Sequence, residues 1–205
     1  MPRIVSRFSK GLEGWSMQGD VGTFDWQPAG GDPGGHIHWI DAASGSDSYF
    51  VAGSKFLGDQ SAFYKGKLSY DIYDTGSDYS GVPDVEITGG GITLVRVMGQ
   101  PGAGWTHVSA QLSVKGGWHV DSLGGAVATS AQIKAVLADV QEVIVRAEYV
   151  NGGEEGGLDN FMLFKKDPVT GDPEHGARHL SDAQAAHVAD ASAPELGAHS
   201  DGFVI

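Results

Sequence analysis

The residues with types and spacings suited to chemistry form three sets. In "HIHWID", His36 and His38 stand two apart on a predicted strand and share a face. That spacing can chelate a metal, or simply mark a polar face. His175 and His179 stand at i, i+4, which suits a helix only if Gly176 permits one. Asp84 with Glu86, and Glu148 with Glu154 and Glu155, are candidates for the paired carboxylates of glycoside hydrolysis. A chain with 26 acids supplies such pairs readily, and turn acids or solvated faces explain them equally well. Nucleophilic catalysis has no support: there is no G-x-S-x-G elbow and no suggestive grouping of Ser, His and acid. "GGGITL" and "GQPGAG" lack the lysine of a phosphate loop and read as turns. With no cysteine, thiolate metal sites, disulfides and Cys nucleophiles are excluded. The expectation is a binding protein, not an enzyme.

Aromatic residues point toward binding. Trp15, Trp26, Trp39, Trp105 and Trp118 all lie in or beside predicted strands, and most of them belong in a core. Trp39 in "HIHWID", Trp118 in "KGGWHVD" and Tyr79 in "GSDYSG" have polar neighbours or loop settings. They are the candidate ligand-binding rings, able to stack on the apolar C–H face of a sugar.

The elements that must position these residues are short and alternating. Runs at 3–8, 20–27, 35–40, 48–52, 67–73, 83–88, 91–97, 105–113, 141–149 and 158–164 read as strands punctuated by Gly, Asp, Asn and Pro. "ITGGGITL" reads as two strands around a glycine turn. One segment departs from the pattern. In "TSAQIKAVLADV", Thr129 and Gln132 have capping-box spacing, and Ile133, Val136, Leu137 and Val140 follow on one helical face. About ten strands and one short helix, without βαβ alternation, predict an all-β antiparallel sandwich.

Composition divides the chain near Lys166. Residues 1–166 hold all five tryptophans and form the predicted domain. Residues 167–205 hold seven acids, one arginine, no lysine and four of the eight histidines. They read as an acidic C-terminal extension, either disordered or a docking arm onto protein subunits of a larger assembly. The formal net charge of −13 argues against nucleic acid and anionic membranes as partners. No apolar run approaches the roughly 18 residues of a membrane span, and "MPRIVSRFSKG" has no apolar core of a signal peptide.

Four ordered pieces, "FSKGLEGW", "GDVGTFDWQPAGGDPGGHI", "FLGDQSAFYKGKLSYDI" and "ADVQEVIVRAEYVNGGEEGGLDNFML", together resemble the laminin B (domain IV) family from about Phe8 to Leu163. The resemblance implies a jelly-roll β-sandwich similar to carbohydrate-binding modules and galactose-binding-like domains. It also implies a structural Ca²⁺ near the chain ends. The matching acid is Asp159, with Glu13 in the first loop and Asp41 after the third predicted strand as candidate partners; an Asx turn at Asp159 is the competing reading. The resemblance carries no catalytic residues. It leads us to expect a non-catalytic module for polysaccharide or glycoconjugate; together with the lack of a visible export signal and the 39-residue extension, it suggests an extracellular or virion-like particle surface. A structural spike or fibre-base subunit is the alternative.

Overall fold

The predicted alternation becomes two packed sheets in the computed structural model, which describes residues 2–42, 45, 47–76, 81–150 and 152–165. The first sheet carries β3 (Val21–Gly31), β4 (Gly34–Asp41), β12 (Glu155–Phe164), β6 (Lys67–Asp74) and β9 (Thr106–Gln111) in that order, with β1 (Arg3–Ser6) also pairing β12. The second runs β10 (His119–Val120), β8 (Ile92–Arg96), β7 (Val85–Gly89), β11 (Val140–Arg146), β5 (Tyr49–Val51) and β2 (Ser16–Gln18). Every ladder is antiparallel. The fold is an all-β jelly-roll sandwich with one α-helix among the described residues, α1 (Ser130–Ala138). All ten predicted strands are present. The two that sequence reading missed, β2 and β10, have three and two residues, too few for a period to show.

Local chemistry explains the elements. Gly90 and Gly91 take positive φ, the geometry of a two-residue hairpin turn between β7 and β8. Thr129 and Gln132 form the complete capping box at the start of α1, which turns Ile133, Val136 and Leu137 into the core. In β6, Leu68, Tyr70 and Ile72 point inward, and Lys67, Ser69, Asp71 and Tyr73 take the opposite face. An aromatic knot fills one end of the core. Phe161 lies 4.9 Å from Trp15 and 4.8 Å from Phe56, edge-on to both, and stacks on Tyr70 at 6.0 Å. The Trp15 indole N–H is satisfied by Ser6 Oγ at 2.8 Å.

β12 organises the first sheet. Its early residues pair β4, its later residues pair β1, and β6 runs along its other side. The register shifts between Asp159 and Met162, where Asn160 sits at φ 50. This bulge re-aims the side chains at the centre of the sheet.

Candidate ligand-binding face

The outer face of the first sheet gathers an aromatic set and a polar net. The aromatic set comes from three strands. Tyr73 on β6 and Trp105, just before β9, meet edge to face with centroids 4.7 Å apart. His36 on β4 lies 5.3 Å from Trp105 and 6.0 Å from Tyr73, and His38 follows at 6.2 Å. The Trp105 indole N–H donates to the Gly30 carbonyl at 2.8 Å, tying the ring to the β3–β4 hairpin. The rings lie over β12 because that strand is bare there. A Cβ on Gly157 would come within 2.5 Å of the Tyr73 ring and 2.9 Å of His36.

The polar net adjoins it. Asp71 and His107 are direct cross-strand partners, and His107 Nδ1 lies 2.6 Å from Asp71 Oδ1. Asn160 Nδ2 donates to Asp71 Oδ2 at 2.7 Å and also to the Asp32 carbonyl. Asp25 accepts from Gln27 at 2.9 Å and lies 3.3 Å from His38 Nδ1. Burial, reinforced by neighbouring His38, holds the His36 imidazole below its usual range and so neutral at pH 7. Burial first, then Glu155 and Asp74, pushes the Tyr73 phenol up to about 12, leaving it a neutral donor. Half-buried rings beside fixed amide, imidazole and carboxylate groups can hold a ligand with apolar C–H faces and hydroxyl edges.

The residues predicted for these roles lie elsewhere. Trp39 is fully buried on an inward position of β4, and Trp118 is 1% exposed with its indole N–H bonded to the Gln111 carbonyl at 2.7 Å. Neither can offer a ring face: strand alternation turns Trp39 inward, and Trp118, just before β10, is packed in the core. Tyr79 lies outside the described residues, as does the extension 167–205. Trp105, Tyr73 and His107 went unrecognised, although the outward alternation in "KLSYDIY" marks Tyr73. The shared face of His36 and His38 was legible, and it is polar and aromatic.

The three acids expected to hold Ca²⁺ are not brought together. Leu158 pairs Ile37, so Asp159 lies near the start of β4, whereas Asp41 ends that strand, roughly 15 Å away. Glu13 is engaged by Lys55 Nζ at 2.5 Å. The buried Asp159 carboxylate accepts from the Asp32 N–H at 2.8 Å and the Asn160 N–H at 2.6 Å, pinning the β3–β4 turn to the bulge. Burial raises its carboxyl to about 6, against the lowering effect of those two bonds. No group of three His, Asp or Glu among the described residues is arranged to hold a metal. These residues do not fit the expected calcium ligand set.

Of the suspected carboxylates, Asp84, Glu148 and Glu154 are buried in structural roles. Asp84 turns inward and accepts from the Met98 and Gly99 N–H groups at 2.5 and 3.2 Å, with Arg146 at 3.7 Å. Glu148 and Glu154 join Asp41 and Asp74 in a buried acid cluster at the far end of β4. Treated as carboxylates, Asp74 Oδ2 and Glu154 Oε2 lack a donor, as do both Asp41 oxygens and Glu148 Oε2. A single proton shared between Asp74 and Glu154 supplies a donor to that pair, and burial followed by the charge of Glu154 raises Asp74 to about 8.

Fold and face together define a jelly-roll β-sandwich with an aromatic and polar outer sheet face. The laminin B (domain IV) family matches residues 49–175, and the chain belongs to that family. Laminin subunit gamma-2 of Equus caballus is 26% identical over 179 residues, covering 83% of this chain and 14% of the relative, so the chain spans about one seventh of that protein. Among solved structures, the L4b domain of human laminin alpha-2 superposes with a TM-score of 0.58 at 16% identity, covering 80% of this chain and 98% of that one. The family 11 carbohydrate-binding module of cellulase Lic26A-Cel5E from Clostridium thermocellum gives 0.50 at 13% identity, covering 80% and 95%. These likenesses establish the shared sandwich fold.

Proposed function

We propose that this chain is a non-catalytic glycan-binding or adhesive module, acting outside the cell or on a particle surface, and that its ligand lies on the outer face of the first sheet. The observation that carries this reading is the convergence of Trp105, Tyr73 and His36 beside the Asp71–His107–Asn160 net. The rings supply a stacking edge, and the net supplies donors and acceptors held in place by one another, so little ordering is needed on binding. The fold shared with a carbohydrate-binding module supports the reading without identifying the sugar.

The test is a glycan array probed with the full chain, followed by titration calorimetry of any hit against wild type and Trp105→Ala. Loss of one central aromatic anchor should weaken binding about tenfold or more. Equal affinity in the variant, or no binding to any glycan, would refute the assignment.

A further inference from the structure

The same outer face changes character toward its other end. Strand register sets Arg3, Phe164, Lys67 and Gln111 side by side across β1, β12, β6 and β9. Together with Lys65 and Lys165 they line a cleft of about 560 Å³ floored by Met162 and Phe164. A second cleft of about 570 Å³ shares Lys65 and Gln111 and adds Lys115 and Lys134. The Tyr64 ring lines the second cleft, with Lys134 Nζ at 4.9 Å and Lys65 Nζ at 5.9 Å from its centroid. Six of the chain's 13 Lys and Arg therefore line two joined clefts. Neither is lined by an acid, although acids outnumber bases two to one in the sequence. None of the six is paired with a carboxylate among the described residues. A positive patch on so acidic a protein focuses anions locally.

This patch lies on the same side of β6 as the aromatic set. Lys67, Ser69, Asp71 and Tyr73 alternate along the outer side of β6, which places the two ends about 20 Å apart. The Ser69 hydroxyl, midway, is buried and without a partner. The charges divide along this line: Asp25, Asp71 and Glu155 surround the aromatic end, and the lysines hold the other. A polymer with a phosphate on every unit would be repelled at the aromatic end. A glycan with spaced anionic groups meets both ends favourably.

We propose that this face binds an acidic polysaccharide, its uronate or sulfate groups over Arg3, Lys65, Lys67 and Lys165 and a neutral sugar at Trp105. The proposal rests on the glycan reading above and specifies its ligand class. The probes are hyaluronan and unsulfated chondroitin oligomers, in which a uronate alternates with a neutral sugar, their carboxyl-reduced neutral counterparts, and single-stranded DNA of similar length, titrated into the full chain. The variants are Trp105→Ala and the double variant Lys65→Gln/Lys67→Gln, whose side chains are both exposed and leave the core untouched. An acidic oligomer should bind, weaken as salt rises, and lose about tenfold or more in affinity with the double variant. Neutral counterparts should bind less tightly, be indifferent to the double variant, and depend on Trp105. If neutral and acidic chains bind alike and the double variant changes nothing, the acidic ligand class is overturned while the glycan reading stands. If neither kind binds, both fail. DNA binding as tight as that of the acidic glycans would also overturn the proposal.

Discussion

Replacing Asp74 with asparagine should make the protein more stable at pH 8 and flatten its pH dependence. Asp74 and Glu154 are 1% and 5% exposed, with Asp41 and Glu148 nearby and Arg146 as the neighbouring cation. Burial raises the Asp74 carboxyl from 3.8 to about 8. A group whose folded pKa is raised stabilises fully below its unfolded value and loses that stabilisation as pH rises through the folded one. Between pH 4 and 8, unfolding therefore releases a proton, and stability falls by up to about 1.4 kcal/mol per pH unit. From pH 6 to pH 8 the loss is about 2 kcal/mol, or roughly 4–8 °C in melting temperature for a domain of this size. Asparagine keeps a neutral group that donates to Glu154 and cannot titrate. Thermal melts of both proteins from pH 5.5 to 8.5 at constant ionic strength would measure this. The rise of Glu148 to about 7 and Asp159 to about 6 adds to the slope in both proteins, so the difference between them isolates the pair. Parallel curves, or a wild type that gains stability with pH, would refute the shared proton.

Other outcomes test the site and its supports. Gly157→Ala should push the Tyr73 and His36 rings aside, costing about 1–3 kcal/mol of stability and weakening any glycan that Trp105→Ala weakens; unchanged affinity would separate the rings from the ligand. Asp159→Ala strands the Asp32 and Asn160 N–H groups, so denaturant melts should show a loss of about 2–3 kcal/mol, and an unchanged midpoint would deny the pinning role. Phe161→Ala, at the centre of the aromatic knot, should cost about 3–5 kcal/mol by chemical denaturation.

The strands and helix were legible because their periods are written locally. Lys67, Ser69, Asp71 and Tyr73 alternate with Leu68, Tyr70 and Ile72, and Thr129 with Gln132 announces the helix. The site was not, because it depends on register between distant strands. Asp71 meets His107 only through the β6–β9 ladder, and Tyr73 meets Trp105 by the same pairing. Loop context suggested exposure for Trp39 and Trp118, but both are packed in the core. Proximity of Asp159, Glu13 and Asp41 was inferred from family likeness, and the β4–β12 pairing puts Asp41 on β4 and Asp159 on β12 toward opposite ends of one ladder.

The central place of β12 has a consequence for synthesis. The last strand of the described sandwich lies between β4 and β6, so those two strands cannot join until residues 155–164 have left the ribosome. The nascent chain must hold β3, β4, β6 and β9 with their central partner missing, and long-range pairing of this kind is slow, on the millisecond-to-second scale. Chains stalled short of Glu155 should be cut readily by protease, and chains released past Phe164 should resist. The exposed edges of β4 and β6 are then the surfaces that a chaperone would need to cover during translation.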